Sequence, residues 1–150
     1  MTKGPVPKMA HRHEDPRLQA ILDSYERWLG HPLCTLTELE DAPFAVLAHG
    51  TEPSPVLYYG NRTALSLWEM SFQDFTRMPS AQTAESALRD ARERLLREVD
   101  AQGYSSNYCG VRVSSTGRRF EIRRATVWNV LSPTGDHLGQ AATFASWRYL

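Results

Sequence analysis

The chain has 150 residues, 23% charged and 41% hydrophobic, with 17 basic side chains balanced by 17 acidic ones. That length suits one domain burying roughly 68–70% of its unfolded surface, and zero net charge gives no long-range pull toward nucleic acid or an anionic membrane. No run of about 18 apolar residues occurs and Met1 to Asp15 is polar, so neither a spanning helix nor a secretion signal is read, and the expected location is cytoplasmic.

Residues 1–14 read as a flexible arm, in which His11 and His13 are too few to make a metal site. Asp15-Pro16 is an N-cap followed by proline, opening a helix over residues 15–30 that Gly30-His31-Pro32 stops. Leu18, Ile21, Leu22, Tyr25, Trp28 and Leu29 fall on one face of it. Such a stripe must cover either the sheet of its own domain or a second copy, so the helix is expected to act as a lid or homodimer element. The core is expected over residues 37–147. Thr37 to Asp41 is a short helix, Phe44 to His49 a first strand and Val56 to Tyr59 a second. Gly60-Asn61 turns into a helix from Arg62 to Glu69 with Ala64, Leu65 and Trp68 inward. Ser71 then precedes Asp74 by three, close to a capping box, and opens a helix to Arg77. Thr83 to Gln102 is the longest helix, with Ala84, Leu88, Ala91, Leu95 and Val99 on one stripe. Its pairs Glu85–Arg89, Asp90–Arg94 and Glu93–Arg97 each add about 0.2–0.5 kcal/mol. Tyr108 to Ser114, Arg119 to Leu131 and Gln140 to Trp147 are rich in β-branched and aromatic residues. Short turns at Ser115 to Arg118 and Ser132 to Asp136 join them, which predicts an antiparallel meander.

A strand pair, small helices, a long helix and a closing meander resemble the order of a PAS-type sensor domain. The residues carry a closer likeness. Ala42-Pro43-Phe44-Ala45-Val46-Leu47-Ala48-His49-Gly50, Tyr59-Gly60-Asn61-Arg62-Thr63-Ala64-Leu65, Ser114-Ser115-Thr116-Gly117-Arg118-Arg119-Phe120 and Ala125-Thr126-Val127-Trp128-Asn129 resemble the MEKHLA domain. The likeness runs from about Leu18 to Trp147, although the six-letter string that names the family is absent. It implies a single PAS-like domain over residues 15–150: an α+β fold with a five-stranded antiparallel sheet, flanking helices and an extra N-terminal helix. It also implies a sensory or regulatory role, as in the small bacterial proteins and plant transcription factors that carry this domain. The chain stops three residues past the last expected strand, so output to a partner in trans is expected.

The residues limit the chemistry. A photoreactive flavin domain needs a cysteine in the short helix after the second strand, and Ser71 to Ser80 has none. Haem-binding PAS sensors use a histidine on the long helix, which has none. Covalent flavin and haem are therefore disfavoured, while noncovalent flavin survives the test. Cys34 and Cys109 read as free thiols, and no enzyme motif is present. The pocket candidates are Cys109, Arg124, Trp128, Asn129 and Gln140. Gln140, opening the last strand, either faces a bound ring or is an ordinary strand glutamine. Asn129 either orients a ligand or satisfies strand-end backbone groups. Phe120, Ile122, Thr126, Trp128 and Val130 share one alternating face, with Arg124 in the same phase. Arg124 therefore anchors an anion, pairs with an acid, or escapes through a bulge. Cys109, with Val111 and Val113 on the inner face, reads as a small core residue. Arg112, Arg118, Arg119, Arg123 and Arg124 with Tyr104 and Tyr108 invite a nucleic-acid reading, which the zero net charge opposes. A ligand-sensing or protein-interaction module is expected. The alternative is a small enzyme using the same cavity, with His49, Arg124 and Asn129 as its polar groups.

Overall fold

The computed structural model describes residues 15–83 and 89–150, the side chains of residues 89–92 excepted. Helix α1 (Pro16–Leu29) begins as the Asp15-Pro16 pair predicts, with the Asp15 carboxylate accepting the Arg17 backbone N–H at 2.9 Å, and ends at Gly30. Helix α2 (Leu36–Leu39) is a single turn closed by a reciprocal capping box between Thr35 and Glu38. Strands β1 (Ala45–His49) and β2 (Leu57–Gly60) pair antiparallel, then α3 (Arg62–Trp68) and α4 (Phe72–Phe75) follow. A 3-10 turn (Ser80–Thr83) takes the place of the first residue of the expected long helix, and α5 (Arg89–Gln102) supplies its described part. Residues 84–88, and with them Glu85 and part of the expected stripe, lie outside the described residues, as do the side chains of Arg89 and Asp90.

Strands β3 (Tyr104–Val113), β4 (Arg119–Leu131), β5 (His137–Phe144) and β6 (Ser146–Tyr149) complete an antiparallel sheet of six strands. The path runs β2-β1-β5-β4-β3, and β6 pairs with β4. The expected five strands become six because the last one breaks near Ala145: β5 pairs with the second half of β4 and β6 with the first.

Asn61 fixes the start of the domain. Fully buried, it accepts from the Val46 and Ala64 N–H groups at 3.0 and 3.1 Å and donates to the Leu39 and Phe44 carbonyls at 3.0 and 2.9 Å. All four of its hydrogen-bonding positions are thus used, which binds α2, β1 and α3 together.

Two irregularities in the β3–β4 ladder decide which side chains face which way. Arg123 and Arg124 together oppose Cys109, and Ser106 and Asn107 together oppose Thr126. Arg124 (φ 54°) and Asn107 (φ 64°) sit in the left-handed region. A bulge inserts one residue and reverses the alternation beyond it. Phe120 and Ile122 consequently share the inner face with Ala125 and Val127, while Trp128 and Val130 lie on the outer face with Val46, Ala48 and Ala141. The expected grouping of Phe120, Ile122, Thr126, Trp128 and Val130 on one face is corrected on this ground. On β3, Tyr108 and Arg112 face inward, and Cys109 is exposed instead of lining the core.

Helices cover both faces. On the inner face lie α3, α4 and α5, with Trp68 and Phe75 against Phe120 and Phe144, and Leu95 and Val99 against Val127. On the outer face lies α1, whose Leu18, Ile21, Leu22 and Tyr25 are buried over Trp128 and Val130. The apolar stripe of this helix is therefore spent on its own sheet. Three polar contacts register it there: Trp128 Nε1 donates to the Ile21 carbonyl at 3.0 Å, Trp28 Nε1 to the Asn129 carbonyl at 2.9 Å, and the Leu131 N–H to Ser24 Oγ at 2.8 Å. Trp28 also lies on Gly103 (φ 93°), where an added Cβ would come within 2.7 Å of its ring. That position requires glycine for space and for backbone conformation alike.

Candidate functional site

The inner face of the sheet, α3, the 3-10 turn and α5 enclose a cavity of about 70 Å³. Its apolar walls are Leu47, Leu57, Leu95, Ile122, Val127 and Phe144, and its polar groups among the described residues are His49, Ser80, Thr83, Tyr108, Arg112 and Gln140, with Trp68 beside them. Alternation explains the set. Leu47 and His49 are two apart on β1 and face Ala142 and Gln140 across the ladder, and Val127 in turn faces Ala142. Gly139 permits the approach of β5 to β1, since a Cβ there would fall 1.9 Å from the His49 carbonyl oxygen.

Several of the polar groups are committed. His49 Nδ1 donates to the Gly50 carbonyl at 3.0 Å, and Thr83 Oγ1 donates to the Ser80 carbonyl at 2.8 Å. Gln140 Nε2 donates to Asn129 Oδ1 at 3.2 Å, an oxygen that also receives His137 Nε2 at 3.2 Å. Asn129 then links Gln140 to three further groups. Its Nδ2 donates to the Val99 carbonyl at 3.3 Å, its N–H to the Gly103 carbonyl at 2.9 Å, and its carbonyl accepts from Trp28. Arg112 donates from Nη1 to the Val111 carbonyl at 3.1 Å and from Nη2 to the Tyr108 hydroxyl at 3.4 Å. No carboxylate is among the described residues that line the cavity. The Trp68 indole nitrogen is buried without a hydrogen-bond partner.

Of the five residues proposed from sequence, Gln140 lines the cavity and Asn129 is hydrogen-bonded to it. Trp128 is buried beneath α1 on the opposite face, and Arg124 and Cys109 are exposed across the ladder at the bulge. The bulge route is the one Arg124 takes. The arginine cluster disperses in the same way: Arg112 enters the cavity wall, Arg118 stacks on the Tyr149 ring at 3.5 Å, and Arg123 and Arg148 share Glu121. Sequence reasoning missed Arg112, Tyr108 and Trp68 as cavity residues, and it named His49 only as a polar group of the enzyme alternative. For His49 the signal was available in its two-residue spacing from Leu47.

Two further facts bound the chemistry. Among the described residues no helix is long and apolar enough to cross a membrane, and no group of three or more metal-ligating side chains gathers. His11 and His13 lie outside the described residues.

Comparison with known proteins places this geometry. The family model described as the MEKHLA domain matches residues 16–149. The homeobox-leucine zipper protein ATHB-9 of Arabidopsis thaliana is 28% identical over 117 residues, which are 77% of this chain but 14% of that protein. The chain thus spans about a seventh of that relative. A PAS domain from Colwellia psychrerythraea superposes with a TM-score of 0.64 at 10% identity, covering 76% of this chain and 92% of the other. A PAS domain of a LuxR-family transcriptional regulator from Burkholderia thailandensis, solved in complex with ethanol, gives 0.57 at 14% identity, covering 74% and 96%.

Proposed function

This chain belongs to the MEKHLA domain family, and from that premise we propose that it is a cytoplasmic PAS-like sensing module that holds a small ligand in its cup and passes its state to a partner protein in trans. The observation that carries the reading is Asn129. One end of its side chain meets the cavity through Gln140, and its backbone carbonyl holds Trp28 of α1 on the far face of the sheet. A change in the cavity therefore has a short polar route to the outer helix.

Cavity size supports a small ligand over a flavin. At about 70 Å³ it is roughly half the ~150 Å³ cavity that accommodates benzene. The ethanol held by the Burkholderia neighbour is a molecule on this scale. A non-enzymatic role is supported by the committed state of the polar wall: His49 Nδ1 and Thr83 Oγ1 donate to backbone carbonyls, and the described lining contains no carboxylate or cysteine. The test is native mass spectrometry of the full chain purified from its own host. A mass excess lost on denaturation is expected, and a chain that stays at its bare mass and whose thermal midpoint no small molecule shifts would end the proposal.

A further inference from the structure

We propose that the cavity binds a short monocarboxylate, with Arg112 as its anchor and the Tyr108 hydroxyl and Trp68 indole N–H as further donors. The inference rests on the ligand-sensing reading above and names the class of ligand. A hydrogen-bond inventory of the wall motivates it. Arg112 has five N–H donors, and its described contacts are one bond to a backbone carbonyl and one long bond to the Tyr108 hydroxyl. No ion pair neutralises it among the described residues. Because the Tyr108 oxygen accepts from Arg112, its own hydrogen is left to point elsewhere. Trp68 is 1% exposed, walls the same cavity and has an N–H with no acceptor.

The wall also holds acceptors, the Gln140 side-chain carbonyl and the Ser80 and Thr83 hydroxyl oxygens among them, but no carboxylate of the described lining opposes the Arg112 guanidinium, and Arg112 and Trp68 keep N–H donors without an acceptor. The ligand that completes it brings acceptors and negative charge in a plane, which a carboxylate does against a guanidinium fork. Leu47, Ile122 and Val127 leave room for an aliphatic tail, and the volume limits the acid to a few carbons.

The experiment is an NMR titration of the full chain with acetate, propionate and the neutral isostere propionamide, read at the Trp68 indole N–H and the Arg112 side-chain resonances. Propionate should saturate and move both signals, with propionamide about tenfold weaker or worse, as expected when a charge-assisted pair is lost. Arg112→Gln should weaken propionate by a similar factor and propionamide by less, and Trp68→Phe should weaken propionate several-fold. Arg112→Lys keeps the charge without the fork and should also weaken it, which preserves the test if the glutamine variant does not fold. Propionamide binding as tightly as propionate, or Arg112 variants without effect, would overturn the carboxylate assignment and leave the sensing reading standing. If neither the acids nor the amide titrate, the carboxylate assignment falls, and the native mass measurement then decides the sensing reading.

Discussion

Trp128 lies fully buried on the outer face of the sheet. Its burial under α1, edge-on to Tyr25 at 5.0 Å and bonded to the Ile21 carbonyl, makes it a keystone of the outer face. Trp128→Ala should cost about 3–5 kcal/mol in a denaturant titration; a loss under about 1 kcal/mol would contradict the register described. Glu69 gives a second residue-scale expectation. The hydroxyls of Thr116 and Ser114 hydrogen-bond its carboxylate and hold its pKa below the usual range, with Arg118 nearby adding to the effect. A carboxylate depressed in the folded state adds stability above its unfolded pKa and loses it as pH falls through the folded value. Glu69→Gln should therefore be less stable than the parent at neutral pH, and the gap should close on acidification. Urea midpoints measured across that range decide it. Much of the fold was legible at this scale, because Asp15, Ser71, Gly30 and the Gly60-Asn61 turn announce helix ends by their chemistry. The cavity residues were harder to read, since Arg112 and Tyr108 look like surface residues until the strand's phase is known.

At the level of elements, the paired bulges on β3 and β4 account for most of what alternation alone misplaced. Arg124 stood in an apolar phase and so signalled a break, yet neither Arg123-Arg124 nor Ser106-Asn107 carries a glycine to mark its position. Reversing the phase at Arg124 also reverses Trp128 four residues on, which places it outside the cup. The two bulges compensate, so that Tyr104–Trp128 and Val113–Arg119 close both ends of one ladder. With Arg124 already at φ 54°, Arg124→Val should destabilise further, because a β-branched side chain fits positive φ worse than an unbranched one, by about 1 kcal/mol on the scale of left-handed strain. Arg124→Gly should be tolerated within about 1 kcal/mol, because glycine offsets its larger unfolded-state entropy by relieving that penalty. Thermal unfolding of the two variants side by side is the measurement. Equal losses would mean that position 124 is not held in the left-handed region.

Across the whole molecule, the sheet separates two compartments, a cup on one side and a docked helix on the other, and Asn129 belongs to both. Reciprocity follows from that membership. If an occupant of the cup alters the free energy of docking α1, then clamping or loosening α1 must alter the affinity of the cup by the same factor. Trp28→Phe keeps the ring over Gly103 and removes the donor to the Asn129 carbonyl. Amide exchange along α1 should then rise, propionate affinity should shift, and the protection that propionate confers on α1 should shrink in proportion. Unchanged exchange together with unchanged affinity would leave the two faces thermodynamically independent. A protein that captured α1 would, on these terms, read the occupancy of a chamber it never touches, and its own concentration would set how much ligand the chamber holds.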